Sequence, residues 1–463
     1  MELQLRISGA HYELLKQHLF PGDGKEAVAV ALCGRYSDHS SEYILIHQIT
    51  CIPYDSCLLR SADLIEWSTQ LIRHYFEKLG KSNLCLLKIH SHPGGYDRFS
   101  KTDDQSDFEF FDSAFGWSVN QKPHASAIML PDGTIFGRFF FFDLHHEPIK
   151  KIVIIGDTLN HFTYISKGNL PDFARRTIQA FGEKTYQLLS GLTIGVVGCS
   201  GTGSPVIEQL TRLGVGKLIL VDPDVIEEKN LNRILHATRK DVQTGISKVN
   251  LLKKAIADIG LGTIVETYRT NLFNDVTVLK NLVKCDFIFG CMDSVDGRHL
   301  LNQLCSFYLI PYIDLGVRLE ADGNGGILKI CGSVHYIQPF KSSLLTRGIY
   351  TIEDVRASGQ YRKNPSEYVN LKKDGYIRNV NVDNPAVISV NMQIASHAVN
   401  EFLNRIHPYK GGAPNEYAGS TIDITDGYIV NVTESDYAED DYLKKKTGLG
   451  DVKPFIEMPE LIS

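Results

Sequence analysis

The chain has 463 residues, which at about 100 to 200 residues per domain predicts two or three domains. Hydrophobic residues make up 43% and charged residues 22%, so disorder as the main state is excluded. The net charge of -6 comes without a long basic tract, which argues against a nucleic-acid binder. No apolar run reaches the roughly 18 residues of a membrane span, and the N-terminus lacks the pattern of a signal peptide. We therefore expect a cytoplasmic protein.

Short apolar runs in the first 145 residues predict the strands of a compact mixed α/β module. The runs are rich in Val, Ile and Phe and are separated by turn residues. They cover residues 27–33, 43–49, 84–89, 125–130 and 135–142. Between them, Ser61 is predicted to cap a helix that ends at Gly80. Its apolar face would consist of Leu64, Leu71, Tyr75 and Leu79.

A group of His, Ser and Asp residues follows the apolar run 84–89. His90 and His92 are two positions apart on an extended strand end, so both side chains point to the same side. Asp103, at the start of a following helix, can supply a third ligand and leave the fourth zinc position to water. Zinc lowers the pKa of such a water to about 7. Glu26 is the candidate to move its proton, and Ser100 can hydrogen-bond an oxyanion.

The pair of histidines alone also fits two surface side chains in a turn. The full string, with Ser100 and Asp103 after His90-Ser91-His92, resembles the JAMM/JAB metallopeptidase family. Members of that family remove ubiquitin-like proteins from lysine or trim their C-terminal extensions. The resemblance covers about residues 1–145 and implies zinc ligands at His90, His92 and Asp103, with Ser100 as the oxyanion serine. The general base maps to Glu26 by strand position alone, because an alanine/valine run replaces the usual glycine-rich sequence after it.

A His/Pro-containing stretch and a Gly/Asn/Pro loop between about Leu144 and Pro171 predict a domain boundary. We divide the chain into a metallopeptidase-like domain at 1–150, a linker at 151–170, a second domain at 171–433 and a charged extension at 434–463. The extension is expected to be flexible or to bind a partner. In the second domain, strands, glycine turns and helices alternate, which predicts a doubly wound parallel sheet of the Rossmann type. Predicted strands cover 193–198, 217–222, 287–290 and 312–315, and predicted helices cover 206–213, about 296–308, and a segment from Asn384 and Pro385 to Ile406.

Gly198, Gly201 and Gly203 join the first of these strands to its helix. Their backbone N–H groups and the helix N-terminus can receive phosphates. The spacing is G-x-x-G-x-G, whereas the dinucleotide fingerprint is G-x-G-x-x-G, which counts against NAD. Asp222 ends the second strand, where a carboxylate can bind ribose hydroxyls.

Four separated blocks, in this order, resemble the ThiF/MoeB and ubiquitin-activating adenylyltransferase family. They are Val221-Asp222-Pro223-Asp224, Asn230-Leu231-Asn232-Arg233, Lys248, and the block from Cys291 through Asp293 to Arg298. The match runs from about residue 173 to 432 and implies an ATP-binding domain. By resemblance, Asp222 holds the ribose with Asp224 beside it, and Asp293 binds magnesium. The residues implied at the ATP phosphates are Asn230, Arg233 and Lys248.

Arg176-Thr177-Ile178 and Phe181-Gly182-Glu183 match a further block of that family, whose arginine reaches into the partner subunit's ATP site. The resemblance therefore implies that Arg176 acts in trans and that the chain forms a homodimer. Attack of a carboxylate on an α-phosphate needs cations that offset charge in the transition state, together with a hard metal ion. Arg176, Arg233 and Lys248 supply the cations, and Asp293 supplies a carboxylate that can hold the metal ion.

Two departures from the family concern cysteines. Where many bacterial relatives hold a zinc ion with two Cys-x-x-Cys pairs, this chain has Ser343 and Thr346, so that structural zinc is expected to be absent. No cysteine follows Cys331, although ubiquitin-activating enzymes place their thioester cysteine in that region. Cys331 follows an apolar run and Cys199 lies in the phosphate loop. We therefore expect the adenylate to pass directly to a partner, with no thioester on this chain.

The sequence predicts a bifunctional enzyme that uses zinc, ATP and Mg²⁺. Its partners would be a ubiquitin-like or sulfur-carrier protein and a conjugating enzyme. The first part would cleave or trim a ubiquitin-like protein, and the second would adenylate its C-terminal glycine, in a bacterial conjugation system that serves defence by family analogy. Three alternatives remain: a sulfur-carrier system in cofactor or amino-acid biosynthesis, a non-catalytic scaffold, and a nucleotide-binding oxidoreductase.

Overall fold

The computed structural model describes residues 1–163, 170–366, 368 and 386–461, and the chain divides into two compact units. Unit 1 comprises Met1–Tyr164, Ser306–Leu309 and Lys445–Met458. Unit 2 comprises Ile165–Cys305, Ile310–Lys444 and Pro459–Ser463. In the described part of the chain, no helix combines the length and the apolar character needed to span a bilayer.

Unit 1 is a mixed α/β unit whose described strands form one nine-stranded sheet and a separate hairpin. Its strands are β1 Glu2–Ser8, β2 Val28–Ser37, β3 Ser41–Cys51, β4 Cys57–Arg60, β5 Ile65–Trp67, β6 Cys85–Ser91, β7 His124–Met129, β8 Ile135–Phe140, β9 His146–Pro148, β10 Lys151–Ile155 and β11 Leu159–Thr163. Its helices are α1 Gly9–Leu19, α2 Arg73–Leu79 and α3 Lys101–Trp117. The sheet order is β11-β10-β1-β3-β2-β6-β7-β8-β9, and β4 pairs with β5.

The central strand β2 is buried on both faces, which explains its unbroken apolar sequence. Alternate side chains of a strand point to opposite faces of the sheet. Ala29 and Ala31 pack in one cluster with Leu15 and Leu19 of α1. Val30 packs on the other face in a cluster with α2 and α3. β2 runs antiparallel to β6, with Val28 opposite His90, so the start of β2 lies beside the end of β6.

The predicted helix from Ser61 to Gly80 is wrong in its first half. Residues Ile65–Trp67 form β5, which pairs with β4, and Thr69–Ile72 form a 3-10 helix. The α-helical part is Arg73–Leu79, which ends at Gly80 as predicted. Pairing with β4 overrides the helical spacing of the apolar residues, because tertiary context outweighs a short local pattern.

Residues 151–163, which lie in the predicted linker, form β10 and β11 at the edge of the unit 1 sheet. β10 is the apolar run KIVII and pairs in parallel with β1. The predicted C-terminal extension is divided between the two units: Lys445–Met458 belongs to unit 1 and the rest to unit 2. Glu434 is buried and pairs with Arg347 at 2.7 Å in unit 2.

The second part of this segment, Lys445–Met458, packs against β2 in unit 1. Gly34 N–H donates to Gly448 O at 3.1 Å, and Asp451 N–H donates to Arg35 O at 2.6 Å. A Cβ at Gly448 would lie 3.0 Å from the carbonyl carbon of Ile46, so the chain approaches β3 as closely as only glycine allows.

Unit 2 is an α/β unit with an eight-stranded sheet among the described residues. Its strands are β12 Thr193–Val197, β13 Lys217–Val221, β14 Ile264–Tyr268, β15 Phe287–Gly290, β16 Tyr312–Ala321, β17 Ile327–Ile337, β18 Gly419–Asp423 and β19 Tyr428–Val432. Its helices are α4 Arg175–Phe181, α5 Glu183–Gly191, α6 Gly203–Arg212, α7 Arg239–Thr244, α8 Lys248–Ile259, α9 Val276–Val283, α10 Val295–Phe307, α11 Ile352–Lys363, α12 Ile388–Ile406 and α13 Asp441–Lys444.

The sheet order of unit 2 is β14-β13-β12-β15-β16-β17-β18-β19. The first five strands in this order are parallel, and the last three continue the sheet in antiparallel pairs. The strand order reverses between β12 and β15, which is where doubly wound sheets bind ligands at their carboxyl ends. The predicted strands and helices of this unit are confirmed, including the helix that ends at Ile406. Its predicted start at Asn384 and Pro385 lies outside the described residues.

Candidate functional sites

The first candidate site is a cluster of ionisable side chains at the carboxyl end of β6 in unit 1. His90 is the penultimate residue of β6, and His92 directly follows the strand. Asp103 lies in the first turn of α3, whose N-cap is Ser100. Ser100 N–H donates to Asp103 Oδ2 at 2.6 Å, and Asp103 N–H donates to Ser100 Oγ at 3.1 Å. This capping box fixes the Asp103 carboxylate while leaving the hydroxyl proton of Ser100 available as a donor.

The side-chain atoms of this cluster have the spacing of ligands around one metal ion. His90 Nε2 lies 3.2 Å from His92 Nε2 and 3.0 Å from Asp103 Oδ1, and His92 Nε2 lies 3.4 Å from Asp103 Oδ2. Two ligands of a tetrahedral zinc ion, each about 2.0–2.1 Å from the metal, are roughly 3.3 Å apart. Two imidazoles and one carboxylate are also the donor set of a catalytic zinc site with one open position. The residues therefore fit zinc.

His92 is oriented by its second ring nitrogen. Nδ1 lies 2.7 Å from Tyr96 O, a distance that assigns the proton to Nδ1 and turns the lone pair of Nε2 toward the cluster. A metal ligand of this kind must present an unprotonated nitrogen. Burial and the Asp103 hydrogen bonds act in opposite directions on the pKa of His92, and the net effect is a raised pKa.

Glu26 lies two residues before β2, and ligand atoms of Glu26, His90 and His92 lie within 4.8 Å of one another. Its Oε1 is 4.0 Å from His92 Nε2, and Glu26, His90 and His92 are all buried. Its backbone is held by Ser61 O, which accepts from Glu26 N–H at 2.8 Å, and by Arg60 Nε, which donates to Glu26 O at 2.7 Å. Burial raises the pKa of Glu26 to about 7, although the neighbouring His92 opposes the shift.

The second candidate site is a cavity of about 680 Å³ at the switch point of the unit 2 sheet. The loop after β12 contributes Gly198, which has φ +92°, a left-handed conformation suited to glycine. Cys199 N–H in this loop donates to Asp222 Oδ2 at 2.7 Å. Eight of the predicted ATP-site residues line this cavity, and all belong to unit 2. They are Gly198, Gly201, Asp222, Asp224, Asn230, Arg233, Lys248 and Asp293. Gly203, the first residue of α6, is buried behind the loop.

Lys248 and two carboxylates form an ion-pair group on one wall of this cavity. Lys248 Nζ donates to Asp224 Oδ2 at 2.7 Å and lies 3.6 Å from Asp222 Oδ1. Burial raises the pKa of Asp222, and Lys248 opposes that shift. Asn230 Oδ1 accepts from Glu227 N–H at 3.0 Å, which leaves the Asn230 amide group as a donor.

Arg233 and Asp293 lie on other parts of the cavity wall. Arg233 Nη1 donates to Lys229 O at 2.7 Å, and Asp293 is exposed toward the cavity in the loop after β15. Tyr361 of α11 and Asn391 of α12 also line this cavity and were not predicted from the sequence. Neither residue belongs to a motif, so no local signal could have identified them.

The structure does not bring Arg176 to the cavity of its own chain. Arg176 is exposed on α4, where Nη1 donates to Gln179 Oε1 at 3.2 Å. Ser343, which stands where many relatives have a zinc-binding cysteine, donates a hydrogen bond from Oγ to Asp440 Oδ2 at 2.6 Å. Cys331 is half-buried on β17, and Cys199 is buried, which raises the pKa of its thiol.

In comparison with known proteins, two family models match separate parts of the chain. The ThiF family model matches residues 174–421, and the model for prokaryotic homologs of the JAB domain matches residues 9–139. The ubiquitin-like modifier-activating enzyme 5 of Caenorhabditis briggsae is 30% identical over 171 residues, which are 35% of this chain and 37% of that protein. The enzyme of the same name from Caenorhabditis elegans is 29% identical over 168 residues, 34% of this chain and 38% of that protein.

The chain therefore spans less than two fifths of the length of these curated relatives. Among solved structures, E. coli MccB with MccA-N7isoASN is similar, with a TM-score of 0.45 and 18% identity. That match covers 57% of this chain and 73% of the MccB chain.

Proposed function

The chain belongs to the ThiF family and carries a JAB-like domain before its ThiF domain, and on this premise we propose that it is a bifunctional enzyme acting on a ubiquitin-like protein. Unit 2 would adenylate the C-terminal glycine of that protein with ATP and Mg²⁺. Unit 1 would be a zinc hydrolase that cleaves after the same glycine. The protein would be cytoplasmic and would act in a bacterial conjugation system together with a conjugating enzyme.

The single observation that carries the adenylation proposal is the convergence of four separated sequence blocks on one cavity. The blocks lie 24 to 95 positions from Gly198 in the chain, yet Asp222, Arg233, Lys248 and Asp293 all line the same cavity as Gly198. The ThiF family binds ATP, usually with Mg²⁺. An accidental group of surface charges would not collect at the switch point of a parallel sheet, where such sheets bind nucleotides.

Each residue has a defined task in the proposed reaction. Backbone N–H groups of the glycine loop beyond Cys199, whose own N–H donates to Asp222, receive phosphate oxygens, and the Asp222 carboxylate accepts from ribose hydroxyls. Arg233 and Lys248 supply positive charge as the substrate carboxylate attacks the α-phosphorus and pyrophosphate leaves. The Asp293 carboxylate is the ligand offered to magnesium. Arg176 would reach the corresponding cavity of a second copy in a homodimer.

In unit 1, His90, His92 and Asp103 would hold zinc, which would act as a Lewis acid and lower the pKa of a bound water to about 7. Glu26 is near enough to take a proton from a water molecule beside His92 and later to give it to the leaving amine. Ser100 O–H can donate to the developing oxyanion, since its oxygen lone pair already accepts from Asp103 N–H.

The proposed substrate class is supported by the similarity to the curated relatives and by the pairing of the two proposed reactions. The curated relatives are activating enzymes for a ubiquitin-like modifier. A hydrolase that exposes a terminal glycine and an adenylyltransferase that activates one act on the same chemical group. This pairing favours a modifier or sulfur carrier as substrate over the small metabolites of an oxidoreductase.

The test of the adenylation proposal is ATP–pyrophosphate exchange with a ubiquitin-like protein ending in Gly-Gly. We expect exchange that requires Mg²⁺ and the free C-terminal carboxylate. In a Glu26→Gln chain, whose unit 1 is expected not to trim the extension, we expect no exchange with the same protein extended by one residue. Exchange that proceeds without the carboxylate substrate, or NAD binding in its place, would contradict the proposal.

The test of the hydrolase proposal separates metal binding from turnover. Asp103→Ala should lose zinc, measured by metal analysis of the purified protein, because it removes one of three ligands. Glu26→Gln should keep zinc and lose cleavage of a C-terminally extended ubiquitin-like protein, because Glu26 is proposed as the general base and not as a ligand. A fully active Glu26→Gln variant would show that the base is another residue.

A further inference from the structure

Two pairs of ionisable side chains, His90–Asp103 and Lys88–Asp107, connect β6 with α3. Lys88 and His90 are two positions apart on β6, so both point to the face of the sheet against which α3 packs. Asp103 and Asp107 are four positions apart on α3, so they lie one above the other on the same helix face. Two residues of strand span about 6.6 Å and four residues of helix about 6 Å, so both pairs form at once.

The pair Lys88–Asp107 is buried more deeply than the pair His90–Asp103. Lys88 Nζ donates to Asp107 Oδ1 at 2.9 Å and to Ser106 Oγ at 2.7 Å. Asp107 has no exposed surface and Lys88 is 4% exposed. Moving Lys88 and Asp107 apart would leave each charge buried without its partner, which strongly destabilises a protein. The pair therefore fixes the distance between β6 and α3 at this point.

Arg138 on β8 holds the same carboxylate from the other side. Its Nη2 donates to Asp107 Oδ2 at 2.7 Å, and its Nε lies 3.3 Å from the same oxygen. The guanidinium carbon of Arg138 lies 3.7 Å from the ring centroid of Phe99. Phe99 directly precedes Ser100, so this stacking contact supports the residue that caps α3.

We propose that Asp107, held by Lys88 and Arg138, is a positioning residue that sets the first turn of α3 relative to the two histidines. The inference rests on the proposed zinc site and names what fixes its geometry. This turn contains Asp103 and follows the N-cap Ser100. The distance between the turn and β6 therefore determines the distance between Asp103 Oδ1 and His90 Nε2. Asp107 touches neither of the metal-facing nitrogens, and it acts through the helix.

The test is zinc affinity of the full chain, measured by competition with a chromophoric chelator, in the variant Asp107→Asn. Side chains that support metal ligands from behind typically contribute about 10- to 100-fold in affinity, and we expect a loss in this range. With Co²⁺ as a probe, the intensity of the visible absorption bands should also change, because the geometry at the metal changes. Loss of stability alone would leave both readouts of the folded protein unchanged.

Glu42→Gln is the matched control, since it neutralises a buried carboxylate of the same unit that pairs with Arg35 at 3.6 Å. Glu42 is the second residue of β3 and pairs with Ser37 at the end of β2, far along β2 from Val28, which pairs with His90. We expect Glu42→Gln to lower the melting temperature but to keep zinc affinity within about twofold of the parent, well below the 10-fold loss expected of Asp107→Asn.

Lys88→Gln is the second variant, used if Asp107→Asn does not fold, because it leaves Asp107 paired with Arg138. It should weaken zinc binding by about 10-fold, the lower end of the range. Folded variants at Asp107 or Lys88 with parental zinc affinity and Co²⁺ spectrum would overturn the positioning role. A parent chain that binds no zinc would instead refute the proposed zinc site, and this inference with it.

Discussion

Replacing Gly198 by alanine should cripple adenylation through the loop that carries Asp293. A Cβ at Gly198 would lie 2.6 Å from Cys291 O and 2.9 Å from Met292 N. Comfortable contacts of this kind are about 3.5 Å, so the Cys291–Met292 backbone must retreat by roughly 1 Å. Asp293 is the next residue and moves with it. A misplacement of about 1 Å at a reacting centre can lower the rate by about 100-fold.

The backbone conformation of Gly198 adds a separate cost in stability. Its φ of +92° is left-handed, and a side chain there costs about 1–2 kcal/mol. Gly245 after α7 provides the control, because it has φ +62° and nothing within 4 Å of an added Cβ. Gly245→Ala should lower the free energy of unfolding by a similar amount, about 1–2 kcal/mol, and should not displace the loop after β15.

The assay is ATP–pyrophosphate exchange at saturating substrate, with the free energy of unfolding measured by urea titration of each variant. We expect exchange to fall about 100-fold in Gly198→Ala and to stay within about threefold of the parent in Gly245→Ala. If Gly198→Ala retains exchange within threefold, or if both variants lose it equally, the steric reasoning is refuted.

Four further outcomes are expected. Asp293→Ala should abolish Mg²⁺-dependent exchange and leave zinc-dependent cleavage intact, measured side by side, because separate sites usually behave independently. Arg176→Ala should lower exchange by about 10³-fold, and mixing it with Asp293→Ala chains should restore part of the activity, unless Arg176 acts only in its own chain. Non-reducing electrophoresis after incubation with ATP and a ubiquitin-like protein should reveal no thiol-sensitive adduct; an adduct lost in Cys331→Ala would identify a thioester cysteine. A chain that ends at Lys444 should lose stability in unit 1, seen as a lower melting temperature of zinc-bound protein.

The proposed zinc ligands could be predicted from the sequence to the extent that they are neighbours in the chain. His90 and His92 share a face because strand side chains alternate, and Asp103 follows within one short loop and one helix cap. Glu26 is different, since it lies 64 positions before His90. Its place beside His92 depends on the pairing of β2 with β6, in the register that puts Val28 opposite His90. Nothing local in the sequence specifies that register.

The failures of sequence reasoning have the same origin. The segment after Ser61 has helical spacing of apolar residues, yet Ile65–Trp67 pairs with β4 because that partner is available nearby. The charged run that begins at Glu434 looks like a solvated tail, whereas Glu434 is buried against Arg347, 87 positions upstream. Partners that distant are invisible to propensity and composition, which describe only a local window.

Because the first and the last parts of unit 1 are far apart in the chain, they leave a ribosome at different times. Lys445–Met458 follows Tyr164 by about 280 residues, which at 5–20 residues per second corresponds to roughly 15–60 s of synthesis. Until then, Gly34 and Arg35 of β2 lack the hydrogen bonds to Gly448 and Asp451. Unit 1 is thus completed only after residues Ile310–Lys444 of unit 2 have been made, so a chain terminated within that segment lacks part of both units.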